Sequence, residues 1–241
     1  MLLAEVFYPE DVLMSKILSF DPGMHNLGMA FSTFDEEFVV QAYRSLTPAK
    51  HPADIRKHRK FFSDRTLTAN VVSSMIRDLV LEFDPDYITC EDTFYNPGRP
   101  QAFISLLIVI TAMEAELYRM YYSGMIDAPH KARIYKIPPK LVKKVVSENI
   151  GGNANKLDMY DALKLQTEKG VIKFADQQPG KIAPLSEFTE HSVDAIDIGY
   201  AFTKVWKPII DNKLLDEKCT SFSKSVRNQL AKNKTCKHYF S

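Results

Sequence analysis

The chain has 241 residues, 45% of them hydrophobic and 25% charged, which is enough for one well-buried core, and no Pro/Gly/Ser-rich linker divides it. The net charge of +1 excludes a uniformly basic nucleic-acid binder, although separated patches of opposite sign would give the same total. Three cysteines, Cys90, Cys219 and Cys236, supply neither an even disulfide set nor a CxxC pair, so the sequence predicts a reducing compartment; Cys236 and His238 lack the second ligand pair of a zinc site.

Acidic Glu5, Glu10 and Asp11 near the start match neither a secretory nor a transit pattern. Ile17 to Asp21 then reads as a buried strand, broken by Pro22-Gly23, and Leu27–Thr33 with Glu37–Tyr43 as a hairpin around Phe34-Asp35-Glu36. Leu67, Val71, Val72, Met75, Ile76, Leu79 and Val80 recur at helical spacing, with Thr66 or Thr68 as the expected cap. Tyr87 to Cys90 is a short strand ending at Glu91, followed by a long apolar helix from about residue 99 to 122. Its apolar run, Ala102 to Met113, falls short of the roughly 20 residues of a membrane span, so a buried helix and no membrane association are expected.

Ala132–Ile137 is the next strand, and Pro138-Pro139 opens a helix through Glu148, since proline suits a first helical turn. Lys156–Lys169 reads as a helix, Val171–Ala183 as loop, and Thr189 or Ser192 starts a last helix ending near Trp206 and Pro208. Strands first, then strands alternating with helices, predict an α/β three-layer domain with a mixed sheet. The expected division is an N-terminal extension over 1–16, one domain over 17–207 and a basic tail over 208–241.

Charge is local. Over residues 50–65, Lys50, Arg56, Lys57, Arg59, Lys60 and Arg65 face only Asp54 and Asp64, and the tail from Lys204 onward is basic as well. The acids are placed differently: Asp21 and Glu91 each end a strand, and Asp194 and Asp197 lie at i,i+3 on the last helix, as do His191 and Asp194 one turn earlier. Apolar Val193, Ile196, Ile198 and Ala201 mark that helix as partly buried, where an unpartnered acid is expensive. Taken singly, Asp21 is also a common Asp-Pro-Gly turn and Glu91 an ordinary charged strand end. Convergence of the four would suit hard divalent cations, which take oxygen ligands, and phosphodiester hydrolysis.

At these residues the sequence resembles the RuvC-type Holliday junction resolvases of the RNase H-like superfamily, most of all the mitochondrial and poxvirus branch. Asp21-Pro22-Gly23-Met24-His25-Asn26 is similar to its D-x-G-x-x-N motif, Glu91-Asp92-Thr93-Phe94 to E-x-x-F, and Asp194-Ala195-Ile196-Asp197 to D-x-x-D. The resemblance, which spans residues 17–206, implies an RNase H-like fold with a central mixed five-stranded sheet flanked by helices. It implies Asp21, Glu91, Asp194 and Asp197 as metal ligands, with His191 in reserve, for two Mg²⁺ ions replaceable by Mn²⁺.

It further implies Lys143, in Pro139-Lys140-Leu141-Val142-Lys143-Lys144, as a catalytic lysine, with Lys140 and Lys144 as phosphate contacts. Phe94 would stack on a base at the junction centre; the alternative is an aromatic capping the core beside Tyr95. Arg56, Lys57, Arg59 and Lys60 would track phosphates. The expected activity is paired symmetric nicking of four-way DNA junctions by a homodimer, with Phe103, Leu106, Leu107, Ile110 and Met113 of the apolar helix at its interface. An RNase H-like nuclease on RNA/DNA hybrids or other branched DNA, and an inactive junction-binding protein, are the alternatives. The viral branch implies an intracellular setting, the cytoplasm of an infected cell, with nucleus and mitochondrion left open.

Overall fold

The computed structural model describes residues 14–50, 52–93, 97, 98, 100–147, 155–175, 188–213, 227 and 228. Three strands open the chain, β1 (Ser15–Asp21), β2 (Leu27–Phe34) and β3 (Phe38–Leu46), paired as an antiparallel meander. A short helix α1 (Ala53–Arg56) runs into a 3-10 turn (Lys57–Lys60) and then α2 (Asp64–Phe83). The elements that follow are β4 (Tyr87–Glu91), α3 (Pro100–Tyr122), β5 (Ile134–Ile137), α4 (Pro139–Ser147), α5 (Lys156–Glu168), β6 (Ile172–Phe174) and α6 (Glu190–Asp211).

The sheet has six strands in the order β5-β4-β1-β2-β3-β6, with β4 parallel to β1, β5 parallel to β4 and β6 parallel to β3. The expected mixed sheet is therefore present with one strand more than five. The extra strand, β6, lies in the stretch expected to be loop. It escapes a periodicity reading because it spans three residues, Ile172 and Phe174 buried on either side of Lys173, which pairs with Glu37 over 2.6 Å.

Alternate residues of the central strands serve two cores. Leu18 and Phe20 of β1 with Ile88 and Cys90 of β4 pack against Val72, Ile76, Met113 and Leu117 of α2 and α3. Ile17 packs on the opposite side with Ile196, Phe202 and Trp206 of α6 and with Val142, Val146 and Leu163 of α4 and α5. Two apolar layers separated by one sheet account for the three-layer architecture.

Four local expectations are revised. α2 is capped by Ser63, whose Oγ accepts from the Thr66 backbone N–H over 3.2 Å, so Thr66 is inside the first turn and Thr68 is buried. α3 has the length and hydropathy of a membrane-crossing helix, and the expected buried helix is buried on one side only: Val109, Ile110, Met113, Leu117 and Met120 are sealed against α2 and the sheet, while most of its apolar stretch is exposed or half-buried. Ile110 and Met113 are thereby withdrawn from any subunit interface, leaving Leu107, 46% exposed, with half-buried Phe103 and Leu106. α6 continues through Pro208 to Asp211 because Trp206 and Ile209 are buried on either side of the proline and hold the chain to the core.

Candidate active site

Side chains alternate across a strand, so Ile17, Ser19 and Asp21 share the face that α6 covers. Asp21 lies at the last position of β1, opposite Gly28 of β2, and the parallel pairing of Phe20 with Cys90 brings Glu91, the last residue of β4, alongside it. Both acids thus leave the same edge of adjacent strands toward the same helix. A capping box fixes where α6 begins, Thr189 accepting from the Ser192 N–H and Ser192 from the Thr189 N–H.

Gly28 sets how closely α6 approaches. A Cβ at this position would stand 1.9 Å from the His191 carbonyl oxygen, so only glycine lets the first turn of α6 rest on β2. Since Gly28 is the cross-strand partner of Asp21, the same contact delivers the His191 imidazole, whose Nδ1 lies 2.6 Å from Asp21 Oδ2. That hydrogen bond, above all, raises the imidazole pKa and favours its protonated form. Gly23 has a related duty: a Cβ there would fall 2.3 Å from the Asn26 carbonyl, which explains the spacing of glycine and asparagine in the turn after Asp21.

The carboxyls report on one another. Glu91 is pushed up to about 8, first by burial and then by the negative charges of Asp21 and Asp194, with the Lys143 ammonium acting in the opposite sense. Asp194 is pushed up to about 7 by burial and by Asp21, offset by His191 and Lys156. Asp21, Glu91 and Asp194 therefore form one electrostatic unit with His191 and Lys143 at its edge. Asp197 lies one turn deeper, fully buried, with neither carboxylate oxygen hydrogen-bonded among the described residues. Burial holds its carboxyl well above the usual range, and Asp194 adds to this.

Other expected site residues spread around this unit. Lys140 is exposed and Lys143 and Lys144 are half-buried on α4, while Phe94 lies outside the described residues. Arg56, Lys57, Arg59 and Lys60 occupy α1 and the 3-10 turn, which follow β3 at the end of the sheet where Asp21 sits, since Ser45 pairs with Gly28. Sequence reading missed Gly28, whose only signal was a glycine opening a strand, and Lys156, the first residue of α5, which is ion-paired to Glu190 and bears on Asp194.

Among the described residues no three His, Cys, Asp or Glu side chains converge tightly enough to enclose an ion as they stand. The donor set nevertheless fits a hard divalent cation: Asp21, Glu91 and Asp194 present oxygen ligands, and burial together with the Asp21 charge raises the proton affinity of Glu91 and Asp194.

No family model matches the sequence, and none of the curated proteins is significantly similar to it. Solved structures are. The yeast mitochondrial Holliday junction resolvase Ydc2 superposes with a TM-score of 0.58 at 12% identity, covering 82% of each chain. The fold is that of the RuvC-type Holliday junction resolvases. Thermus thermophilus RuvC superposes with a TM-score of 0.52 in two structures, one of them in complex with a Holliday junction substrate, at 15% and 12% identity, covering 78% of this chain and 93% of RuvC. These likenesses establish the RuvC-type architecture, a mixed sheet flanked by helices.

Proposed function

We propose that this protein is a divalent-cation-dependent, structure-selective endonuclease that resolves four-way DNA junctions by paired nicks. The observation that carries the reading is the carboxylate unit of Asp21, Glu91 and Asp194, grouped at one end of the sheet of a RuvC-type fold, with the Glu91 and Asp194 carboxyls raised to about 8 and 7. The structural neighbours named as junction resolvases support it.

Asp21, Glu91 and Asp194 hold the cations, and His191 completes the set in preference to Asp197, because His191 touches Asp21 and Asp197 is enclosed in the core. Two Mg²⁺ ions, for which Mn²⁺ substitutes, supply water activation and neutralisation of the leaving oxygen when bound. The protein's residues do the positioning: His191 fixes the Asp21 carboxylate, and Lys143 offsets the charge on Glu91 and meets an incoming phosphate. Arg56, Lys57, Arg59 and Lys60 track phosphates, which makes binding salt-sensitive, and Phe94 stacks at the branch. A homodimer related by a two-fold axis addresses symmetry-equivalent strands with its two sites.

The test is purified full-length protein with Mg²⁺ and a synthetic four-way junction. Symmetric nicks are expected, with Glu91→Gln and His191→Ala each slowing cutting by about 100-fold or more. Cleavage of RNA/DNA hybrids alone, binding without cutting, or a normal rate in Glu91→Gln overturns the reading.

A further inference from the structure

The segment between β3 and α2 carries six basic side chains against two acids over residues 50–65. The fold places it at the carboxylate end of the sheet. β3 leaves the sheet at Leu46, next to the Gly28–Ser45 pair, and the Arg65 guanidinium donates to Gln101 Oε1 at the start of α3 over 2.8 Å.

Two adjacent phenylalanines in this segment differ in exposure. Phe62, itself 52% exposed, lines with Ile55, His58, Leu67 and Asn70 a hollow of about 220 Å³ against α2. Phe61 faces outward and is 79% exposed. It follows directly on Arg56, Lys57, Arg59 and Lys60, all exposed, with Arg59 held by Asp64 over 3.0 Å.

A single exposed apolar ring is ordinary, but one that directly follows four exposed cations, on a turn at the same end of the sheet as the carboxylates, calls for a ligand that answers both. An acidic protein surface would answer the charges and leave the ring in water. An intact duplex arm would do the same, since its bases present only edges in the grooves. A branched DNA answers both, because phosphates converge where arms meet and the bases at the branch expose their π-faces.

We propose that Phe61 is a base-stacking contact for branched DNA, brought to the branch by the basic turn. This rests on the junction reading above and adds an aromatic contact from the segment between β3 and α2.

The experiment uses full-length protein in EDTA, so that binding is separated from cutting, with four-way junctions carrying 2-aminopurine at successive positions beside the branch. Phe61→Ala is expected to weaken junction binding by roughly 5- to 150-fold. Linear duplex binding should stay within about two-fold, and the fluorescence quench at one position should disappear. Phe61→Trp should restore both. Removing Lys57, Arg59 and Lys60 together should instead weaken junction and duplex alike and flatten the salt dependence by about 2–3 in log–log slope.

Wild-type protein that cuts junctions while Phe61→Ala binds them equally well overturns the stacking role alone. Equal weakening on junction and duplex also overturns it, by reducing Phe61 to a support for the basic turn. Wild-type protein that neither prefers nor cuts junctions overturns the functional reading and this inference with it.

Discussion

Burial of the carboxylates, and after it their mutual repulsion, should make the metal-free protein lose stability as pH rises. Glu91 rises from 4.5 to about 8, and at about 1.4 kcal/mol per tenfold change in proton affinity this amounts to roughly 5 kcal/mol. Asp194 rises from 3.8 to about 7, roughly 4 kcal/mol on the same basis. The two do not add, because Glu91 counts Asp194 and both count Asp21. A raised carboxyl contributes stability that is complete below its unfolded value and is lost as pH climbs through the folded value. Urea unfolding in EDTA should therefore show a fall of several kcal/mol between about pH 4.5 and pH 8. Glu91→Gln should remove most of that fall, and saturating Mg²⁺ should restore wild-type stability at pH 8 by binding the folded state. A flat profile in EDTA, or the same slope in Glu91→Gln, would refute the claim that these acids share one site.

Gly28→Ala should displace the first turn of α6, costing about 1–3 kcal/mol or more and abolishing junction cutting, as read by urea midpoint and nicking rate, because the new methyl would overlap the His191 carbonyl. Asp197→Leu should raise the unfolding free energy from urea titration at pH 7.5 by about 1–3 kcal/mol and leave cutting intact, since it removes a buried acid with both oxygens unpaired among the described residues. Glu116, fully buried between Arg77 at 2.5 Å and Arg119 at 2.7 Å, ties α2 to α3. Glu116→Ala should cost about 3–5 kcal/mol in the same assay. Thr189→Ala should cost about 1 kcal/mol by loss of the α6 cap, with a proportionate fall in melting temperature.

Continuous burial made β1 and β4 readable, and with them the two acids that end them, because a strand carrying one core on each face stays mostly apolar until it reaches solvent. The same rule failed for β6, whose three residues are too few to show a pattern. Ser63 was passed over as the α2 cap because Thr66 and Thr68 lie closer to the first periodic leucine, whereas the helix begins one turn earlier on its exposed side. Pro208 looked like a stop because an interior proline forfeits one backbone hydrogen bond, and the buried Trp206 and Ile209 outweigh that loss. Ile110 and Met113 looked available for a partner because an apolar helix does not announce which of its sides meets its own sheet.

The sequence by itself determined the order of strands and helices, the placement of Asp21 and Glu91 at strand ends, and the presence of acids on the last helix. Tertiary structure alone decided which of those helix residues face Asp21. His191, Asp194 and Asp197 follow one another at three-residue steps, each turning about 60° round the helix, so spacing admits either neighbouring pair but not all three at one point. The rotation and depth of α6 are set where its first turn rests on Gly28, a contact between residues 163 positions apart in the chain. That contact brings His191 to Asp21 and leaves Asp197 in the core.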